Sequence, residues 1–473
     1  MFLLPGVVVG YTKRATRALQ RRILQAPRRF VQYFYAFSRG FPQVLLRATD
    51  FIDAAGSVFA WNAHAKTDPD IKKHRDVYAR TRITFDICTP ILTSLSAPDV
   101  FMREVRYVKG LDGLRAIAVI LVFLSHKGHV LAVDVGKLGV WTFFFISGFL
   151  IVGELHRNRQ AIECGTMGRR HALALFLAKR ALRIFPVYYL LLAALAIAHA
   201  LFYQRGVNLG LPWHAAFLSN YWIGVVKDGW PGSTSHFWSL AVEQQFYLIA
   251  PLTLLAVPAA RHVALGVAAV ALCALAHLAL YALDASPVLI YAFSPWNFAL
   301  IALGGVGAMA LADRGPTVVR RIPPGWLATV GVVFFLTLPA FTALPDIVSG
   351  LVDLGLSVSL GALMLWIVTE PDHPAVALLD WAPLVYLGTI SYGFYLFHNL
   401  IPTRFGEMPA LFAHVPMPGI VREALPELLQ FALAVLLAHL SWRYLERRLL
   451  DFKKPVAAML ARYFVTRPST SPR

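Results

Sequence analysis

The chain has 473 residues, 58% of them hydrophobic and only 15% charged, with a formal net charge of +18 at pH 7 and a mean hydropathy of +0.59. The apolar share lies above, and the charged share below, those of an average soluble domain, which excludes a mainly disordered chain or a nucleic-acid-binding module and points to a membrane protein. Of the 44 Lys and Arg, 18 fall in residues 1–109 and 8 from Arg443 onward, so the expected partner of this charge is a membrane surface.

The apolar start, Met1 to Gly10, precedes Lys13, Arg14 and Arg17, the reverse of a signal peptide. Val44, Ala48, Phe51, Ile52, Ala55 and Phe59 then recur at helical spacing, with Arg47, Asp50 and Asp53 off that face. This predicts an amphipathic helix, lying either on the bilayer or on its own protein. Arg21, Arg22, Arg28 and Arg29 suit the anionic lipid of the inner leaflet. Residues 62–100 are polar and are expected to be a cytosolic connector.

From Leu111 onward, apolar segments predict ten membrane spans at 111–131, 138–153, 184–203, 243–258, 263–283, 296–312, 326–344, 351–369, 383–402 and 424–445. The stretch from Pro212 to Val226 is too short for a span and is expected to be a re-entrant or surface piece. With the N-terminus inside, 37 of the basic residues fall on the inner side and 6 on the outer, which places both termini in the cytosol and the protein in the cytoplasmic membrane. The halves show no internal repeat. The expected division is a basic membrane-surface extension (1–106), a transmembrane domain (107–452) and a cytosolic tail (453–473). The expected fold is an all-α, polytopic membrane helix bundle of about ten spans. Cys88, Cys164 and Cys273 have no metal-binding or disulfide-framework spacing, and no metal site is expected.

Three places carry polar chemistry. Arg115 and His126 are eleven residues apart, close to three helical turns, so they share one face about 16 Å apart. Ionisable groups within a span are costly and by default face a working polar interior. Arg180 and Arg183, three apart in the basic loop before the third span, form a pair able to grip phosphate oxygens bidentately, although plain topology signalling also accounts for a basic loop. Glu243 at the mouth of the fourth span lies seven residues from His236, two turns along one face, a pairing that could tune an imidazole for general base work. His398 is a fourth buried polar residue, and a lone histidine there is more often a packing residue.

Six ordered elements resemble the acyltransferase 3 family of polytopic membrane acyltransferases. These are Asp112-Gly113-Leu114-Arg115 with His126, the phenylalanine-rich run Phe143 to Ile151, Arg180 to Tyr189, Trp238 to Tyr247, Ile390 to His398, and Glu446-Arg447. The resemblance covers residues 107–452. It implies O-acyl transfer, usually acetyl, from a cytosolic acyl-CoA co-substrate to a hydroxyl of an envelope carbohydrate or lipid-linked glycan, with no bound cofactor. It assigns His126 as the catalytic histidine, Arg180 and Arg183 to the donor, and Arg115 and Glu243 to the rest of the site, with His236, Ser239 and His398 as further candidates. On that assignment Glu243 orients the imidazole, and either direct attack or an acyl-histidine intermediate fits.

The sequence departs from the family in three ways. Gln244 stands where many relatives carry a second Glu, the extension of about 100 residues is unusual, and no hydrolase-like domain is expected after the last span. A second transfer step outside the membrane would then fall to another protein. Two other classes stay open from the residues alone. One is a transporter or flippase with a His126/Arg115/Glu243 relay, and the other is a membrane scaffold anchored by its basic N-terminus.

Overall fold

The computed structural model describes residues 108–127, 135–202, 210–315, 346–401 and 418–465. The expected amphipathic extension and the seventh expected span, 326–344, lie outside them. Among the described residues every regular element is a helix. The principal ones are α1 (Leu111–Lys127), α2 (Val135–Glu163), α3 (Arg169–Phe202), α4 (Phe237–Ala256), α5 (His262–Ala282), α6 (Ser294–Arg314), α7 (Asp346–Thr369), α8 (Ala382–Thr389), α9 (Ser391–Phe397), α10 (Gly419–Ser441) and α11 (Lys453–Val465). Among the described residues six stretches are long and apolar enough to cross a bilayer: Val135–Glu163, Arg169–Leu201, Ala259–Ala282, Pro287–Arg314, Val348–Thr369 and Ala424–Phe464.

The centre of the bundle is α2 against α6, where two glycines let the backbones touch. A Cβ on Gly148 would lie 1.8 Å from the carbonyl oxygen of Ile301, and one on Gly304 would lie 2.2 Å from that of Phe145. Lipid tails are as apolar as side chains, so helices in a bilayer gain from such close approach more than from burial itself. Phe144, Phe145, Ile151 and Leu155 fill the core from α2, while Leu272 and Leu275 of α5 are 69% and 65% exposed on a face suited to lipid.

Several expected boundaries shift, for local reasons. The second span runs on to Glu163 because the charges beyond residue 153 have partners: Arg159 bonds Glu163 at 2.9 Å and donates to the carbonyl of Leu255 at 2.9 Å. The basic loop shrinks to residues 164–168, since the Ala/Leu-rich run from His171 to Ala178 is helix-forming and carries the following arginines into α3. The fourth span starts at Phe237, six residues early, which puts Trp238 and Ser239 inside α4.

The ninth expected span is broken into α8, α9 and a 3-10 turn, His398–Leu400. Irregular backbone at membrane depth is tolerated where protein or a cavity surrounds it. Residues 211–234 form short helical pieces rather than a span, as expected for a re-entrant or surface segment. α11 packs on α3, with Phe464 stacked on His171 at 5.8 Å. Among the described residues Cys273 is a free thiol.

Candidate active site

α1 is continuous from Arg115 to His126, so the two share one helix face as the spacing predicts. They reach different cavities. Arg115 lines a narrow cavity of about 110 Å³ together with Arg180, Arg183, Glu243, Ser239 and Tyr395. His126 lines a larger one of about 640 Å³, together with Lys127, Trp230, Trp238, Asn399 and Tyr395. Val140 and Tyr395 border both.

The narrow cavity is electropositive. Arg180 and Arg183 are neighbours on α3, one turn before Pro186. Arg180 is clamped by Glu154 of α2, its Nη2 lying 2.7 Å from Oε2, and Lys179 holds the other oxygen of that carboxylate at 3.0 Å. Glu154 is buried and was not anticipated from the sequence. Arg115 lies 3.6 Å from Asp112, one turn back on α1. Glu243 accepts from the Ser147 hydroxyl at 2.6 Å, and Ser147 Oγ lies 2.9 Å from the hydroxyl of Tyr247. Since the serine proton is committed to Glu243, the tyrosine donates to Ser147.

His126, which lines the larger cavity, neighbours the buried ring of His398, and His398 that of His236; the tautomers follow from their partners. His398 Nδ1 lies 2.7 Å from the Tyr395 carbonyl, so Nδ1 carries the proton and Nε2 carries the lone pair. That Nε2 is 2.9 Å from His126 Nδ1, which must donate to it. His126 is thereby fixed as the Nδ1–H tautomer, with its basic lone pair on Nε2. His236 Nε2 donates to the carbonyl of Leu396 at 3.2 Å, and its Nδ1 faces the Asn399 amide at 3.5 Å. Its ring packs on His398 at 5.2 Å. Ser239 Oγ meets the Tyr395 hydroxyl at 2.5 Å.

Two expectations about contacts need correction. His236 and Glu243 do not meet, because His236 caps α4 and bonds across to Leu396 while Glu243 points to Ser147 and Tyr247. The residue bonded to His126 is His398, a further candidate from the sequence, and not Glu243. Lys127, counted with an outer loop, is buried with its ammonium 2.8 Å from the Ile401 carbonyl. The His126–His398 contact and Glu154 were the signals missed. Each makes its contact across a long stretch of chain or from an apparent loop, so local periodicity carries no trace of it.

The family model for the acyltransferase 3 domain, described as an acyltransferase domain, matches residues 108–461. Among similar proteins is the peptidoglycan O-acetyltransferase OatA of Listeria monocytogenes, 28% identical over 366 residues, covering 72% of this chain and 55% of that one. A putative O-acetyltransferase of Staphylococcus aureus is 27% identical, covering 73% and 57%. The putative peptidoglycan O-acetyltransferase YrhL of Bacillus subtilis is 27% identical, covering 72% and 55%. The chain thus spans little more than half the length of these relatives. No solved structure matches it. With the family model covering well over half its length and every described helix from α1 to α10, the chain belongs to the acyltransferase 3 family.

Proposed function

We propose that the chain is a membrane O-acyltransferase that moves an acyl group, acetyl by analogy with its relatives, from cytosolic acyl-CoA to a hydroxyl of an envelope glycan or glycolipid. The observation that carries this reading is the bond from His126 Nδ1 to His398 Nε2, which leaves His126 with a basic Nε2 in the lining of the larger cavity. The relatives named as peptidoglycan O-acetyltransferases make a peptidoglycan-type polymer the first acceptor to test.

In this reading Arg180 and Arg183 take the donor phosphates, and the thioester reaches toward the border at Val140 and Tyr395. His126 Nε2 removes the proton of the acceptor hydroxyl as its oxygen attacks the thioester carbonyl. The carbon–sulfur bond then breaks, and the proton passes from His126 to the leaving thiolate. His398 performs the orienting role first given to Glu243. Glu243, with Ser147 and Tyr247, keeps a carboxylate beside the arginines of the donor cavity. An acyl-imidazole formed on the same nitrogen is the alternative path, which rapid-quench peptide mass spectrometry separates from direct attack.

The same reading places ten spans in the cytoplasmic membrane, both termini in the cytosol, and the basic extension on anionic inner-leaflet lipid. After reduction, Cys164 should react with a membrane-impermeant thiol reagent only in permeabilised cells. Labelling in intact cells would invert the orientation. The function itself is tested with purified protein, acetyl-CoA and peptidoglycan fragments. Free thiol should appear only with acceptor present, together with an acetyl mass increment on the glycan. Thiol release indifferent to acceptor, or none at all, would sink the proposal.

A further inference from the structure

A third cavity, of about 260 Å³, lies at the same end of the bundle as His126 and plays no part in the chemistry above. It is built where the N-terminal parts of α2, α6 and α7 meet the last turns of α5. Asp353 of α7 is its centre. Lys137 of α2 donates to one carboxylate oxygen, and His277 Nε2 and the Tyr281 hydroxyl of α5 each lie 3.1 Å from the other. Around this polar group stand aromatic rings: Trp296 stacks on His277 at 4.2 Å and meets Trp141 edge-on at 5.8 Å. The Lys137 ammonium sits 4.7 Å from the ring centre of Trp141.

Two features distinguish this from an ordinary interhelical strut. Asp353 is only 4% exposed, and a charge buried to that extent is costly to keep. Finally, the cavity shares Pro287 and Tyr291 with the larger cavity that His126 lines, so the two adjoin. The Tyr291 ring continues the aromatic wall to Trp238 at 5.2 Å and Trp230 at 5.6 Å.

We infer that this cavity is a carbohydrate subsite, which holds the sugar ring next to the one being acylated. The inference rests on the O-acyltransferase reading and deepens it. A pyranose has C–H faces that lie on aromatic rings and hydroxyls that both donate and accept, and the lining offers both kinds of contact. Asp353 accepts from hydroxyls, Lys137 donates to them, and the rings of Trp141, Tyr291 and Trp296 offer apolar faces. An apolar acyl chain would leave these groups unpaired, which disfavours a lipid tail as occupant.

The test uses the full-length protein in nanodiscs with acetyl-CoA and a panel of peptidoglycan fragments and chito-oligosaccharides of two to six sugars. Asp353→Asn keeps the volume and removes the charge, and Tyr281→Phe removes one hydroxyl should the first variant fold poorly. Both should raise KM for the longer glycans, tenfold or more for Asp353→Asn and about threefold for Tyr281→Phe. Turnover at saturation and KM for acetyl-CoA should stay within twofold of wild type. Normal transfer with unmoved glycan KM in both variants makes the cluster a strut and overturns the subsite.

If the wild-type protein transfers to no glycan, the O-acyltransferase reading fails, and direct binding decides the subsite separately. Saturable quenching of tryptophan fluorescence by a panel oligosaccharide, weakened in Tyr281→Phe, would sustain it. Absence of quenching by every panel member would overturn it.

Discussion

The two cavities along α1 are built on opposite principles. The narrow one, at the Arg115 end, is charged: three arginines with one carboxylate among them, and Arg180 further tied by Glu154. The larger one, at the His126 end, has a cation, Lys127, tied to the Ile401 carbonyl, and a run of neutral hydrogen bonds from the Tyr395 carbonyl through His398 to His126. Charge suits holding an anionic ligand firmly without fine geometry. A fixed tautomer suits moving one proton at a defined atom. A helix that threads both places binding and chemistry on one rigid rod, so the two functions should fail separately when damaged separately.

The largest effects are expected at the histidine end. His126→Ala should lower transfer by about 10²- to 10⁴-fold, as the loss of a general base typically does, and single-turnover kinetics would locate the loss in the chemical step. Insertion of one alanine between Arg115 and His126 keeps both side chains but swings one by about 100° relative to the other. Its cost should approach that of His126→Ala, and near-normal turnover would separate the two cavities mechanically.

His398→Ala should cost less, because the base survives and only its orientation is lost. Leaving one buried hydrogen-bonding group unpaired is worth about 1–3 kcal/mol, or roughly 5- to 150-fold in turnover. A loss as deep as that of His126→Ala would show that the two imidazoles act as one catalytic unit.

That ordering also shows what a reader of the sequence can see. Arg115 and His126 are legible because eleven residues on one helix fix their relation, and α1 is a helix throughout. The Arg180/Arg183 pair is legible for the same reason, though the helix carrying them was expected to begin later. The His126–His398 bond is not legible, since it joins positions 272 residues apart. Glu243 was expected at the outer mouth of the fourth span beside His236 and lies instead in the arginine cavity, because the helix starts earlier and Ser147, in a run of phenylalanines, carries no local mark of its role. Where the ninth span breaks, hydropathy is continuous while the backbone is not, and only the cavity beside it accounts for the break.

At the arginine end the effects should be far below that of His126→Ala and should fall on donor affinity rather than on turnover. Arg183→Ala should raise KM or Kd for acyl-CoA by about 10- to 150-fold, the worth of one charge-assisted contact of roughly 1.5–3 kcal/mol. Arg180→Ala should cost less, since Glu154 already engages that guanidinium at 2.7 Å, whereas among the described residues Arg183 has no such clamp. The order reverses if Glu154 serves to aim Arg180 at the donor, and steady-state kinetics with acetyl-CoA as varied substrate distinguishes these outcomes.

On the proposed function, donor binding and proton transfer reside in different cavities on one helix. Calorimetric titration of acetyl-CoA into wild-type and His126→Ala protein, with transfer followed on the same samples, tests it most directly. The expected result is an affinity unchanged within twofold while transfer falls at least 100-fold. A tenfold loss of donor affinity in the variant, or transfer that survives it, would contradict the division.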